Sequence, residues 1–151
     1  MTGHIGKYLA VLYRRQQKYV RRSLAQYDLG YSDFHFLLYL ANNDGASQTG
    51  LCRQLAVDEA LATRAMRKLT RRGFVQRSRL PEDQRSYALS LTPQGQALIP
   101  KLRAALQTFW GEVTAGYSEQ EIARLMQLLQ EMSERAAGCC AKLDEEGGIS
   151  L

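Results

Sequence analysis

Residues 55–91 read LAVDEALATRAMRKLTRRGFVQRSRLPEDQRSYALSL, and the fold turns on this stretch. Asp58 has the side-chain acceptor suited to a helix N-cap. After it, Ala62, Ala65, Met66 and Leu69 recur at three- and four-residue spacing, which makes one helical face apolar. A rotation of 100° per residue puts Ala60, Arg64, Arg67 and Arg71 on the opposite face. Gly73 stops this helix. Phe74-Val75 then opens a strand pattern interleaved with Arg77 and Arg79. Leu80 to Ser86 has the composition of a turn, and Tyr87, Leu89 and Leu91 alternate on the way back.

The charge of the chain is concentrated in the same place. Between Arg53 and Arg85 there are nine bases (Arg53, Arg64, Arg67, Lys68, Arg71, Arg72, Arg77, Arg79 and Arg85) against four acids (Asp58, Glu59, Glu82 and Asp83). The excess of five equals the net charge of +5 of all 151 residues, so the rest of the chain is balanced. A polyanionic partner explains that segregation; a solvated basic face is the other reading.

Composition bounds what such a chain does. With 45% hydrophobic and 23% charged residues it is globular, of a length to form a single core. No apolar run approaches the roughly 18 residues that cross a bilayer. Met1 to Ala10 lacks an apolar run ending at a small-residue cleavage site, so a cytoplasmic protein without membrane association is expected. Cys52, Cys139 and Cys140 have no metal spacing, and His4 and His35 are the only histidines, so no metal site and no cofactor are expected. Cys52 falls in an apolar helical pattern and reads as a small buried residue. There is no Gly-x-Ser-x-Gly and no phosphate-cradling glycine loop, which argues against an enzyme.

Outward from the central stretch the pattern is helical. Ile5, Leu9, Leu12, Gln16, Tyr19, Val20 and Leu24 form a mostly apolar stripe over about Ile5 to Tyr27. Asp28 to Tyr31 breaks it, and Ser32 is an N-cap for a second helix with Phe34, Leu37, Leu38 and Leu40, closed by Asn42-Asn43-Asp44-Gly45. Ala46-Ser47-Gln48 opens a short helix to Ala56 with Leu51, Cys52 and Leu55 inside. Two short helices joined at Ala56-Val57-Asp58, the second basic on its outer face, make a helix-turn-helix, and the hairpin after them makes it winged. Thr92-Pro93 starts a long helix to about Ala115, which Pro100 is expected to kink or leave with a free carbonyl. Ser118 to Glu121 has capping-box spacing for a last helix with Ile122, Leu125, Met126, Leu128, Leu129 and Met132.

The expected architecture is therefore mostly α with a small β-hairpin wing. A winged helix-turn-helix core (31–92) is flanked by helical dimerisation regions (1–30 and 93–143) and followed by a flexible tail (144–151). The flanking helices carry more apolar surface than the winged unit covers, which an isologous homodimer or an intramolecular bundle would bury. A dimer would place two reading helices one duplex turn, roughly 34 Å, apart.

The run Leu55-Ala56-Val57 to Thr63-Arg64, then Leu69, Gly73-Phe74-Val75, Arg77, Asp83-Gln84-Arg85-Ser86 and Leu91-Thr92-Pro93-Gln94-Gly95, resembles the MarR family of bacterial transcription regulators in order and spacing. The likeness covers nearly the whole chain. It implies a homodimeric regulator of a pseudo-palindromic double-stranded DNA operator, often a repressor relieved by a small molecule. By the same match, Thr63 and Arg64 touch the major groove, Arg85 reaches into the minor groove and Asp83 braces the wing. For Asp83 and Arg85, an ordinary turn ion pair is the alternative.

The residues add Arg67, Lys68, Arg71, Arg77, Arg79 and Ser86 to this DNA-binding surface. The sequence departs from the family at Glu59-Ala60-Leu61, where Ala60 and Leu61 replace small hydroxyl residues. Ala60 or Leu61 is suited to touch a thymine methyl, and Glu59 to accept from a cytosine amine or repel a non-cognate phosphate. Leu61 packed on the preceding helix is the competing reading. Family ligands occupy the crevice between dimer helices and winged unit, where Tyr13, His35, Tyr39 and Trp110 are the aromatic candidates for a small aromatic effector. Each also reads as a core or interface residue. An oxidative signal is the other form of relief, and a winged protein-interaction module that meets an acidic partner is the alternative function.

Overall fold

The computed structural model describes residues 2–79 and 87–145. They divide between two compact units, 1–110 and 111–151. In chain order the helices are α1 (Ile5–Ser23), α2 (Asp33–Asn42), α3 (Gln48–Leu55), α4 (Glu59–Arg71), α5 (Pro93–Val113) and α6 (Glu119–Glu145). Strands β1 (Ala46–Ser47), β2 (Val75–Arg79) and β3 (Tyr87–Leu91) form one antiparallel sheet in the order β1-β3-β2.

The core of the first unit is where the helical periodicity places it. The expected inner face of α4 is buried through Ala62, Ala65, Met66 and Leu69. It meets Phe34, Leu37 and Leu40 from α2, Leu51 and Cys52 from α3, Val75, Leu89 and Leu91 from the sheet, and Leu98 and Leu102 from α5. Side chains cap the starts of α3 and α4, whereas Ser32, expected to cap α2, makes no such hydrogen bond. Ser47 Oγ accepts from Gly50 N at 3.0 Å and Asp58 Oδ1 from Leu61 N at 2.6 Å, each contributing about 1 kcal/mol. Between α3 and α4, Ala56 takes the left-handed conformation (φ 51°), which costs a Cβ-bearing residue roughly 1–2 kcal/mol and makes the tight joint of the helix pair.

The structure differs from the sequence expectation in several places. The hairpin wing has a third strand, since Ala46 and Ser47, expected to open a helix, pair with Leu89 and Ala88. Two residues are too few to show a period of two. Helix α1 stops at Ser23 rather than near Tyr27. Leu24 turns into the core, a 3-10 turn spans Ala25–Tyr27, and Asp28 adopts φ 45°. Helix α5 runs through Pro100, which withholds the N–H that would serve the Gln96 carbonyl, the second of the two outcomes expected of it. In the second unit α6 starts on a formed capping box, with Ser118 N donating to Glu121 Oε2 at 2.8 Å and Glu121 N to Ser118 Oγ at 3.3 Å. It continues through Asp144 and Glu145, two residues into the expected tail.

Candidate nucleic-acid interface

Helix α4 presents its polar face outward. Glu59, Ala60, Arg64, Arg67 and Arg71 are exposed, and Thr63 and Leu61 are half-buried. Leu61 packs against the core, while Ala60 remains open. The five basic residues expected on this helix and its end divide into two groups. Among the described residues Arg64, Arg67 and Arg71 have no acidic partner, whereas Lys68 and Arg72 each have one. Lys68 Nζ lies 3.1 Å from Asp33 Oδ2, a carboxylate only 7% exposed that also accepts from Gly30 N at 2.5 Å. Arg72 pairs with Asp28. Lys68 is thus placed to hold α4 to the α1–α2 connection, away from the other bases.

The sheet carries the basic face onward. In the β2–β3 ladder Val75 pairs with Leu91, Arg77 with Leu89 and Arg79 with Tyr87, and residues two apart share a face. Val75 and Leu91 are buried where that face meets the core, while Arg77 and Arg79 are exposed beyond it. A groove of about 330 Å³ runs between this face and the start of the reading helix, lined by Ser47, Gln48, Thr49, Glu59, Thr63, Arg77, Tyr87 and Leu89. The first three were not among the expected site residues; they join the groove because β1 docks on β3, which a two-residue strand does not announce in sequence. The expected wing residues Asp83, Arg85 and Ser86 lie outside the described residues.

Three of the four aromatic candidates gather around α2. Tyr13 stacks on His35 with ring centroids 5.3 Å apart, and Phe34 lies 4.0 Å from the same imidazole. His35 lines a cavity of about 140 Å³ with Tyr13, Ser32, Phe36, Leu55 and Val57, and another of about 420 Å³ with Leu38, Tyr39, Asn42, Asn43, Gln54 and Leu55. Its Nε2 is buried with no hydrogen-bond partner among the described residues. Trp110 lies elsewhere in the arrangement, edge-on to Phe109, which packs on Tyr19.

Burial holds the His35 imidazole below its ordinary value of 6.5. The unfolded chain therefore takes up this proton first, and the folded state loses stability as pH falls below 6.5, with no effect above it. The melting temperature should begin to fall as the pH drops below about 6.5, and His35→Phe should flatten that fall in a thermal-denaturation series. Glu121 acts in a lower window, because its hydrogen bonds to Ser118 hold its carboxyl below 4.5.

A helix pair with an outward basic face, followed by an antiparallel wing, defines the winged helix-turn-helix class of DNA-binding proteins. The profile of the MarR family matches residues 29–87. The HTH-type transcriptional regulator BilQ of Clostridium symbiosum (strain WAL-14163) is 30% identical over 109 residues, covering 72% of this chain and 76% of BilQ. A MarR transcriptional regulator from Methanosarcina mazei Go1 superposes with a TM-score of 0.83 at 30% identity, over 89% of this chain and 97% of that one. A MarR family regulator from Listeria monocytogenes, complexed with 26mer DNA, shares the fold with a TM-score of 0.89 at 22% identity, over 97% of both chains. This chain belongs to the MarR family and is a transcription regulator rather than an enzyme. No helix of the described residues is long and apolar enough to cross a membrane.

Proposed function

We propose that the protein is a cytoplasmic homodimeric repressor that grips a pseudo-palindromic operator and releases it when a small aromatic molecule binds. The observation that carries DNA binding is the sorting of charge on α4: Lys68 and Arg72 are paired with Asp33 and Asp28, while Arg64, Arg67 and Arg71 face outward with no acidic partner among the described residues. Exposed guanidinium groups at helical spacing suit phosphates and guanine edges. Arg77 and Arg79 extend that surface along β2, and by the family match Thr63 joins the major-groove contacts, Arg85 reaches into the minor groove and Asp83 braces the wing.

Dimerisation is supported by apolar surface that stays open in each unit. Ile5, Tyr8, Leu9 and Tyr13 are exposed on α1, and Leu125, Met126, Met132 and Leu143 on α6. A second copy would bury such faces and set two reading helices roughly 34 Å apart. The cavities beside His35, walled by Tyr13 and Tyr39, are where an aromatic effector would act, its polar group meeting the unpartnered Nε2. Capture of genomic fragments by the purified protein tests the reading: it should enrich an inverted repeat with half-sites one turn apart, and recovery of no common sequence at moderate salt would refute it.

A further inference from the structure

The first turn of α4 holds a hydrogen-bonded group that the basic surface does not account for. Gln48 Nε2, at the start of α3, donates to Glu59 Oε2 at 2.9 Å and to Thr63 Oγ1 at 2.9 Å. Its two amide hydrogens are thereby used, one on each partner. An ionised carboxylate only accepts, so Glu59 dictates which way the amide faces. The buried Cys52 thiol is a third neighbour: burial raises its pKa, and the negative charge of Glu59 pushes the same way.

A single glutamate at a helix N-terminus is ordinarily explained by the macrodipole. That explanation does not require a partner from another helix, and here Asp58 already caps α4. What Gln48 adds is orientation. Held by one oxygen, Glu59 keeps Oε1 as an acceptor in a fixed direction, at an exposed position on the outer face of the reading helix and at the edge of the groove shared with Arg77. Thr63, having accepted from Gln48, keeps its hydroxyl proton to donate.

We propose that Gln48 is a positioning residue for base readout, clamping Glu59 so that its free carboxylate oxygen selects a cytosine amine in the major groove. Among the base edges there, the amines of cytosine and adenine are the donors, and adenine sets its amine beside the N7 acceptor, which repels a carboxylate. The carboxylate would otherwise oppose phosphates, so it contributes discrimination at some expense of affinity. This inference rests on the DNA-binding reading of α4.

Selection from a pool of duplexes with a randomised centre tests it, using the full-length wild type, Glu59→Gln and Gln48→Ala. The wild type should enrich cytosine over other bases at one symmetry-related pair of positions by about tenfold, the scale of one well-placed base contact. In Glu59→Gln the new side chain can still receive the Gln48 amide through its oxygen and turns an NH2 outward, so preference should move to guanine or thymine, whose edges offer acceptors. Gln48→Ala should flatten preference at that pair alone, with the rest of the motif, thermal stability and binding to a scrambled duplex as in wild type. A purely structural Gln48 would alter stability without changing base preference. If both variants enrich the wild-type motif with the same weights, the clamp is wrong while the regulator reading stands; if the wild type enriches no motif, both fall.

Discussion

Gly95→Ala is expected to weaken the fold by about 3 kcal/mol or more, read as a lower denaturant midpoint at unchanged slope. A Cβ on Gly95 would stand 2.1 Å from the Phe74 carbonyl oxygen and 3.3 Å from Leu91 Cδ2. The carbonyl is main chain and is fixed on its other side by Thr92 N at 3.1 Å. Thr92 Oγ1 tightens the same joint, donating to the Gly73 carbonyl at 2.5 Å and accepting from Gly95 N at 3.0 Å. A methyl group would have to prise the start of α5 from the entry to β2, and the wing hangs on that junction. Gly111, in the same helix, has nothing within 4 Å of its Cβ direction. Gly111→Ala should therefore stabilise by about 0.5–1 kcal/mol, separating steric conflict from helix propensity.

The second large effect is on DNA. Replacing Arg64 and Arg67 together by alanine should lower affinity for a selected operator about 100-fold or more, with the melting temperature nearly unchanged. Both side chains are exposed and have no acidic partner among the described residues, so their removal disturbs no core contact. Two charged contacts of about 1–3 kcal/mol each account for the loss, and the pair recurs in both subunits of a dimer.

Much of this interface is legible in the sequence, because α4 buries one stripe and exposes another. The period placing Ala62, Ala65, Met66 and Leu69 inside leaves Arg64, Arg67 and Arg71 outside, and the structure agrees. Less legible was anything set by a partner distant in sequence. Lys68 follows Arg67 and looked equivalent to it, yet its neighbour is Asp33, thirty-five positions earlier. Gln48 carries no signal of its role in sequence, since a glutamine at a helix start has many uses; only α3 folding against α4 brings it to Glu59 and Thr63. The Gly95 of the family signature becomes intelligible once Phe74 is seen to lie where its side chain would be. Strand β1 and the early end of α1 were hidden for a simpler reason: two residues carry no period, and Leu24 fits the apolar stripe whether or not the helix continues.

In the proposed function the outward arginines of α4 meet nucleic-acid phosphates and bases while Lys68 serves the fold. Fluorescence-anisotropy titration of an enriched duplex over a range of salt concentrations tests it directly, with wild type, the Arg64→Ala/Arg67→Ala protein and Lys68→Ala compared. Affinity should fall linearly with salt on logarithmic axes, and the double variant's slope should be shallower by about 0.9 for each arginine that meets a phosphate, counted over both subunits. Lys68→Ala should keep the wild-type slope and instead lose thermal stability, because it strands the buried Asp33 carboxylate. A double variant that binds with wild-type affinity and slope, or a Lys68→Ala protein that alone loses the salt dependence, would contradict the account.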